Sequence, residues 1–212
     1  MRVIIAGAGL GGLTLALSLR AAGIEAEVFE AAPELKPVGV GINILPHATR
    51  ELTELGLADR LAERAIATEA LMYANQFGQE IWREPRGRFA GYDWPQYSIH
   101  RGVLQMLLLE AVTERLGPGA VHVDRTVTRV ETSPTGAAVW LQDSAGADRG
   151  RASADVVVAA DGIHSAIRGQ FYPHEGAPIW NRRVLWRGVT EGAPFLGGAT
   201  MIMAGHQDQK FV

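Results

Sequence analysis

The stretch Ile4–Glu30, IIAGAGLGGLTLALSLRAAGIEAEVFE, limits more than any other what this chain can fold into. A short apolar run at Val3–Ala6 ends in glycines and is typical of a buried parallel strand. Apolar residues then recur at helical spacing over Gly11–Ala22, and Gly23 follows where glycine commonly ends a helix. Ala26–Phe29 is the next short strand. The stretch therefore predicts a strand, a helix and a second strand parallel to the first.

The junction between the first strand and the helix carries the pattern G-x-G-x-x-G. In that pattern Gly7 allows a tight turn, Gly9 lets the backbone approach a pyrophosphate, and Gly12 lets the helix pack closely on the strand. The free N–H groups and the positive end of the helix then face the phosphates. The motif consists of Gly7, Ala8, Gly9, Leu10, Gly11 and Gly12.

An acidic residue ends the second strand. Glu30 lies 23 positions after Gly7, where a carboxylate accepts hydrogen bonds from ribose hydroxyls, and Ala31 directly after it is expected to belong to the same cofactor site. A carboxylate also disfavours a 2′-phosphate on that ribose, so the adenosine of NADP is not expected. The pattern predicts NAD or FAD, and a glycine-rich turn in an unrelated α/β protein is the alternative reading.

The remainder of the chain twice interrupts the alternation of strands and helices. A dehydrogenase would more often continue that alternation. The sequence predicts a loop at 38–44, helices at 46–55 and 59–67, a hairpin within 70–84, a loop at 85–95, an apolar helix at 101–116, antiparallel strands at 121–131 and 137–142, a turn or loop at 143–153, a buried strand at 155–160, and strands at 184–190 and 200–204.

Composition excludes several classes of function. The net charge of −3 gives no electrostatic reason to expect nucleic acid or an acidic membrane as partner. The chain has no cysteine, which excludes disulfides, thiolate metal sites and a cysteine nucleophile. The histidines do not pair at metal-ligand spacing. No leader peptide or membrane span is visible, so a cytoplasmic protein is expected.

A second motif follows the buried strand at 155–160. In VVVAADGIHSAIR, Asp161 stands where the strand ends, with Ser165 and Arg168 in the helix expected after it. Ligands of open α/β sheets lie at the carboxyl ends of the strands, so Asp161 is expected to share a crevice with Gly9. An acid there accepts hydrogen bonds from sugar or ribitol hydroxyls, whereas capping the helix N-terminus is the structural alternative.

Three stretches together resemble the group A flavoprotein monooxygenases, the FAD-dependent aromatic hydroxylases. They are GAGLGGLTLALSLRAAGIEAEVFE, YSIHRGVLQMLL and ADGIHSAIR, and the resemblance extends over essentially the whole chain. The family usually has Gly where this chain has Ala159. The resemblance favours FAD over NAD. It implies an α/β fold with a Rossmann-like FAD-binding domain of the glutathione-reductase and p-hydroxybenzoate-hydroxylase type, an antiparallel meander, and the beginning of a β-rich substrate domain.

The resemblance also implies roles for individual residues. Arg101 would bind near the FAD pyrophosphate and ribose, Val127 would lie against the adenine, and Asp161 would contact the ribitol. The loop Gly39–Asn43, including Gly41, would lie beside the isoalloxazine. The expected domains are an FAD-binding domain at 1–69 and 97–174 and a partial substrate domain at 70–96 and 175–212.

The reaction implied is hydroxylation of a small planar aromatic substrate with NAD(P)H and O2. By similarity the substrate is a phenazine carboxylate, with salicylate-like and other fused aromatic acids left open. No side chain stands out as a catalytic acid or base, and His206 alone lies near the expected substrate side. Family members are about twice as long, so a fragment or truncated product is expected, with unpaired strand edges that favour homo-oligomers. An NAD-dependent dehydrogenase and a non-catalytic nucleotide-binding fragment are the alternatives.

Overall fold

The computed structural model describes all residues from 1 to 212 and shows two compact units. The first unit comprises residues 1–37 and 104–186, and the second comprises residues 38–103 and 187–212. Each unit is therefore built from two separate segments of the chain. Assignment of an FAD-binding and a substrate domain to particular ranges stays a prediction.

The two units contain fourteen strands, five α-helices and two short 3₁₀ helices, Gly87–Ala90 and Leu196–Gly198. The strands are β1 (Arg2–Ala6), β2 (Glu25–Phe29), β3 (Gly41–Ile44), β4 (Ile66–Ala67), β5 (Ala70–Asn75), β6 (Glu80–Pro85), β7 (Tyr97–His100), β8 (Val121–His122), β9 (Thr126–Ser133), β10 (Gly136–Gln142), β11 (Asp148–Ala154), β12 (Val156–Ala159), β13 (Thr200–Gly205) and β14 (Lys210–Phe211). The helices are α1 (Leu10–Ala21), α2 (Pro46–Glu54), α3 (Ala58–Arg64), α4 (Arg101–Leu116) and α5 (Ala166–Phe171).

A four-stranded parallel sheet forms the centre of the first unit. Its strand order is β12-β1-β2-β8, and β1 pairs in parallel with both β12 and β2. The inner residues of β1 are completely or almost completely buried, as an apolar strand covered on both faces should be. Because the strands are parallel, their carboxyl ends lie at one edge of the sheet, where Gly7, Glu30 and Asp161 follow them.

An antiparallel meander packs on this sheet. Its order is β11-β10-β9, and its apolar residues join a buried cluster that also contains Ile4 and Phe29. Asp143 begins the turn between β10 and β11. Its carboxylate accepts hydrogen bonds from the N–H groups of Ala147 and Ala145 and pairs with Arg149, and these donors hold the pKa of Asp143 below its usual value.

The second unit contains two smaller sheets. One has the order β14-β13-β5-β6, with β5 and β6 forming an antiparallel hairpin and β13 parallel to β5. The other has the order β3-β7-β4, and β7 buries Tyr97 and Ile99 on one face. Pro46 occupies the first turn of α2, where its missing N–H removes no helical hydrogen bond.

The α/β fold class predicted from the sequence is confirmed. The strand–helix–strand start, the hairpin, the apolar helix at 101–116 and the antiparallel pair of β9 and β10 all occur. Gly23, with φ of +74°, follows α1, and Gly56, with φ of +71°, follows α2, as glycines at helix ends commonly do. Apolar residues at helical spacing, followed by a glycine, were therefore sufficient to identify these helices.

Five local predictions were wrong. Residues 41–44 and 148–154 form strands rather than loops, and the third helix ends at Arg64, before β4. The strand expected at 121–131 is divided because Asp124, with φ of +53°, leaves the extended conformation. Residues 184–190 form no strand and belong to none of the four sheets.

No helix combines the length and the apolar character that crossing a membrane requires.

Candidate functional site

The glycine loop, Gly7–Gly12, connects β1 to α1 at the carboxyl edge of the parallel sheet. The Gly7 N–H donates to the carbonyl of Phe29 at 2.7 Å, which ties the start of the loop to the end of β2. Gly9 caps α1, and its carbonyl accepts from Leu13 at 3.0 Å. The first turn of α1 carries no acidic side chain, so no carboxylate competes with an anion for the helix N-terminus.

The three motif glycines differ in how much space a side chain would have at each position. Gly7 has φ of +103°, and a Cβ there would lie 2.4 Å from the carbonyl oxygen of Ala160. A Cβ on Gly12 would lie only 1.9 Å from the carbonyl oxygen of Gly7. A Cβ on Gly9 would meet no atom within 4 Å and would project into open space. The fold therefore requires Gly7 and Gly12, whereas Gly9 leaves room beside the backbone.

Both carboxylate oxygens of Glu30 accept hydrogen bonds from backbone N–H groups. One accepts from Ala8 at 2.7 Å and the other from Ala32 at 2.8 Å. Glu30 is half-buried, and its carboxylate joins the glycine loop to the end of β2. Charged acceptors make stronger hydrogen bonds than neutral ones, which favours a single conformation of the loop.

Asp161 lies at the same edge of the sheet as the glycine loop. It follows β12, the parallel neighbour of β1, and its Cα would be 3.1 Å from a Cβ placed on Gly7. Its carboxylate makes one long hydrogen bond, 3.5 Å, from the N–H of Ile167. Ser165, whose hydroxyl accepts from Arg168 at 2.9 Å, is the N-cap of α5. Ser165 is therefore the N-cap residue of α5, and Asp161 contributes only the long hydrogen bond to the first turn of that helix.

The sequence profile described as FAD binding domain matches residues 1–177 of this chain. The chain belongs to this FAD-binding family. FAD is accordingly its cofactor, and the glycine loop, Glu30 and Asp161 all fall within the matched residues. The family assignment agrees with the resemblance found in the sequence.

Two curated relatives are aromatic hydroxylases by name. The chain is 47% identical over 204 residues to phenazine 1,6-dicarboxylic acid hydroxylase PhzS of Lysobacter antibioticus, covering 95% of this chain and 50% of that protein. It is 40% identical over 173 residues to 3-amino-4-hydroxybenzoate 2-monooxygenase of Streptomyces cremeus, covering 79% and 41%. The chain thus spans about half the length of the curated relatives it matches.

A solved protein of the same fold was crystallised with FAD. Klebsiella pneumoniae HpxO, complexed with FAD and uric acid, matches with a TM-score of 0.64 and 28% identity over 80% of this chain and 41% of that one. The p-nitrophenol 4-monooxygenase PnpA of Pseudomonas putida matches with a TM-score of 0.70 at 23% identity over 80% of this chain and 42% of that one, which supports the fold.

Other predicted residues of the first unit differ in exposure. Ala31 is exposed beside Glu30. Val127 is only 6% exposed, and its side chain belongs to the buried cluster between the meander and the sheet. Core packing thus accounts for the Val127 side chain, and its predicted contact with adenine stays a prediction.

Gly41 and Arg101 lie in the second unit, near a second glycine loop that we define as residues 38–41. The carbonyl of Gly41 accepts from Arg187 at 2.6 Å, and the N–H of Arg101 donates to the carbonyl of Val40 at 2.9 Å. Arg101 is an exposed residue, and its guanidinium forms no ion pair within the chain. It remains available for an anion, and its predicted contact with FAD stays a prediction.

Sequence reasoning missed Gln105 in α4. Its side chain is only 7% exposed and its amide nitrogen donates to the carbonyl of Ala8 at 2.8 Å. A polar residue on the same helical face as the buried Leu108 and Val112 was the available signal. Its partner lies 97 positions away, so the sequence alone could not identify the contact.

The histidines offer no metal site. No group of three or more histidine, aspartate or glutamate side chains lies close enough to hold a metal ion. His206, the histidine nearest the expected substrate side, is exposed in the turn after β13, with its Nδ1 3.5 Å from a carboxylate oxygen of Asp208. Nothing in its surroundings distinguishes it from a surface side chain.

Proposed function

We propose that this chain acts as a flavin-dependent aromatic monooxygenase. The observation that carries the proposal is the open backbone at Gly9, situated between Glu30 and Asp161 at one edge of a parallel sheet. This arrangement fits a dinucleotide, because a pyrophosphate can approach the backbone where no side chain projects. The assignment to an FAD-binding family supports FAD as that dinucleotide.

The residues have distinct tasks in this proposal. The glycine loop and the N-terminus of α1 bind the pyrophosphate, Glu30 accepts from the adenosine ribose, and Asp161 accepts from the ribitol. Arg101 supplies a guanidinium for the phosphates, and Gly41 provides a backbone without a side chain beside the flavin ring. FAD, when bound, supplies the redox and oxygen chemistry, and these residues bind and orient it.

The proposed substrates follow from the relatives. Both curated relatives described above act, by name, on aromatic carboxylic acids. We infer a small planar aromatic acid as substrate, with a phenazine carboxylate as the first candidate. NAD(P)H would supply the electrons and O2 the oxygen atom. A cytoplasmic location and homo-oligomers formed through unpaired strand edges stay predictions.

The activity is tested on the purified chain reconstituted with FAD. NADH or NADPH oxidation is followed in the presence of phenazine carboxylates and aminohydroxybenzoates, and products are analysed by mass spectrometry after reaction with isotopically labelled O2. We expect substrate-dependent oxidation and one labelled oxygen in the product. The matched control is Gly9→Ala, which is expected to keep the fold while its added methyl group occupies the space beside the Gly9 backbone.

Two other outcomes would replace the proposal. Nucleotide binding without oxidation of NADH or NADPH would favour a non-catalytic binding fragment. NADH binding in a chain that does not bind FAD would favour an NAD-dependent enzyme. Only labelled product made by the wild-type chain, and absent with Gly9→Ala, supports a monooxygenase.

A further inference from the structure

Helix α4 carries one buried amide among apolar side chains. Gln105 is 7% exposed, while Leu104, Leu107 and Leu108 around it are 4% exposed or less. Burying an amide is unfavourable unless it finds a hydrogen-bond partner. The partner here is the carbonyl oxygen of Ala8 in the glycine loop, 2.8 Å from the Gln105 amide nitrogen.

The two backbone polar groups of Ala8 are both bound by side chains from other elements. Its N–H donates to the Glu30 carboxylate at 2.7 Å, and its carbonyl accepts from Gln105. Ala8 itself is completely buried. The orientation of both peptide planes next to Ala8 is therefore set by residues that the glycine motif does not contain.

The geometry of the peptide bond extends this effect to Gly9. The carbonyl of Ala8 and the N–H of Gly9 share one peptide plane, and in a trans peptide they point in opposite directions. The chain contains no cis peptide bond. With its carbonyl directed to Gln105, this peptide directs the Gly9 N–H away from α4. The Gly9 N–H has no hydrogen-bond acceptor within the chain, and Gly9 borders open space.

We propose that Gln105 is a positioning residue that fixes the Ala8–Gly9 peptide so that the Gly9 N–H faces the phosphate of a bound nucleotide. The inference rests on the proposed nucleotide site. Its ligand chemistry is a diphosphate ester of adenosine, the group shared by FAD and ADP. Gln105 acts through the backbone and makes no contact with the ligand.

The alternative is that Gln105 is a buried, hydrogen-bonded core residue that contributes only to stability. In that case removing Gln105 lowers stability and leaves nucleotide affinity unchanged in the chain that remains folded. A positioning role lowers affinity in the folded chain, because the peptide can rotate and the Gly9 N–H loses its direction.

The test compares Gln105→Met with Gln170→Met. Methionine keeps the length of the side chain and removes the donor. Gln170 is the control because its amide group also bonds backbone, but its partners are the N–H and carbonyl of Val130 and not the glycine loop. ADP and FAD are titrated by calorimetry into each chain after circular dichroism and melting confirm that it is folded.

We expect Gln105→Met to weaken ADP binding about tenfold, the loss of one well-oriented hydrogen bond, with FAD affected in parallel. Gln170→Met should bind both ligands as the wild type does. Equal ADP affinity in wild type and Gln105→Met would overturn the inference while leaving the nucleotide site in place. A wild-type chain that binds neither ligand would instead overturn the proposed function.

A second variant, Gln105→Asn, tests the proposal if Gln105→Met does not fold. Gln105→Asn retains an amide but is one methylene too short to reach the carbonyl of Ala8. If Gln105→Met does not fold, the same tenfold loss is expected of Gln105→Asn. If neither variant folds, the amide serves the core of the unit, and the positioning role is overturned.

Discussion

The two glycine loops of this chain are stabilised in different ways. Gly7–Gly12 is bound by the buried Gln105 and the half-buried Glu30, side chains from other elements of its own unit. The second glycine loop, residues 38–41, is bound by His100, whose Nε2 lies 2.8 Å from the carbonyl of Gly39, and by the exposed Arg187. Water competes for the second set of hydrogen bonds far more than for the first.

This difference predicts a rigid first glycine loop and a more flexible second glycine loop. Buried hydrogen bonds resist local opening, whereas loops with exposed hydrogen bonds open at low cost in free energy. We therefore expect the first loop to keep its shape with or without nucleotide. The second loop, predicted to lie beside the flavin ring, is expected to change conformation more readily.

The largest expected effect is that of Gly12→Ala. The added Cβ would lie 1.9 Å from the carbonyl oxygen of Gly7, and this backbone atom cannot move aside as a flexible side chain would. We expect a loss on the order of 3 kcal/mol or more in the free energy of unfolding, measured by urea denaturation. In the second loop, Gly41→Ala has no neighbour within 4 Å and should leave stability unchanged. Equal stability of the two variants would contradict the close packing of the first loop.

Gly9→Ala is expected to lower ADP affinity with little change in the free energy of unfolding. Gly9 has φ of −70°, which alanine adopts readily, and its Cβ would meet only open space. The free energy of unfolding should change by about 0.5 kcal/mol or less, while ADP affinity falls on the order of a hundredfold because the methyl group occupies the approach of the phosphate. Calorimetric titration with ADP measures the effect. Wild-type affinity in this variant would contradict the site.

Glu30→Gln should have an intermediate effect on stability. One carboxylate oxygen becomes an NH2 group that faces a backbone N–H, either of Ala8 or of Ala32. We expect a loss of about 1.5–3 kcal/mol in the free energy of unfolding, measured by thermal melting. Glu34→Gln, in an exposed ion pair with Lys36, is the matched control and should be neutral. A neutral Glu30→Gln would show that the carboxylate does not stabilise the loop.

The smallest expected effect is that of Arg187→Met in the second loop. The hydrogen bond from Arg187 to Gly41 is exposed, so its loss should cost about 0.5 kcal/mol or less. Amide hydrogen exchange measures the accompanying opening of residues 38–41. A loss as large as that of Glu30→Gln would remove the contrast between the two loops.

Part of the structure could be predicted from the sequence because its signals are local. The glycine motif, Glu30 and the apolar periods of α1 and α4 each lie within a short stretch of chain. Strand β11 was missed because it is mostly exposed and lacks apolar alternation, and β3 because its glycine resembles a loop signal. The role of Gln105 depends on a contact between distant parts of the chain, which no local pattern records.

The central claim is that this chain binds FAD through the first glycine loop. The most direct measurement is the visible spectrum of the purified chain after incubation with excess FAD and removal of unbound cofactor. The account predicts a retained flavin band in the wild-type chain and its loss in Gly9→Ala. A colourless wild-type chain would contradict the FAD assignment, and absence of ADP binding in the same preparation would contradict the nucleotide site itself.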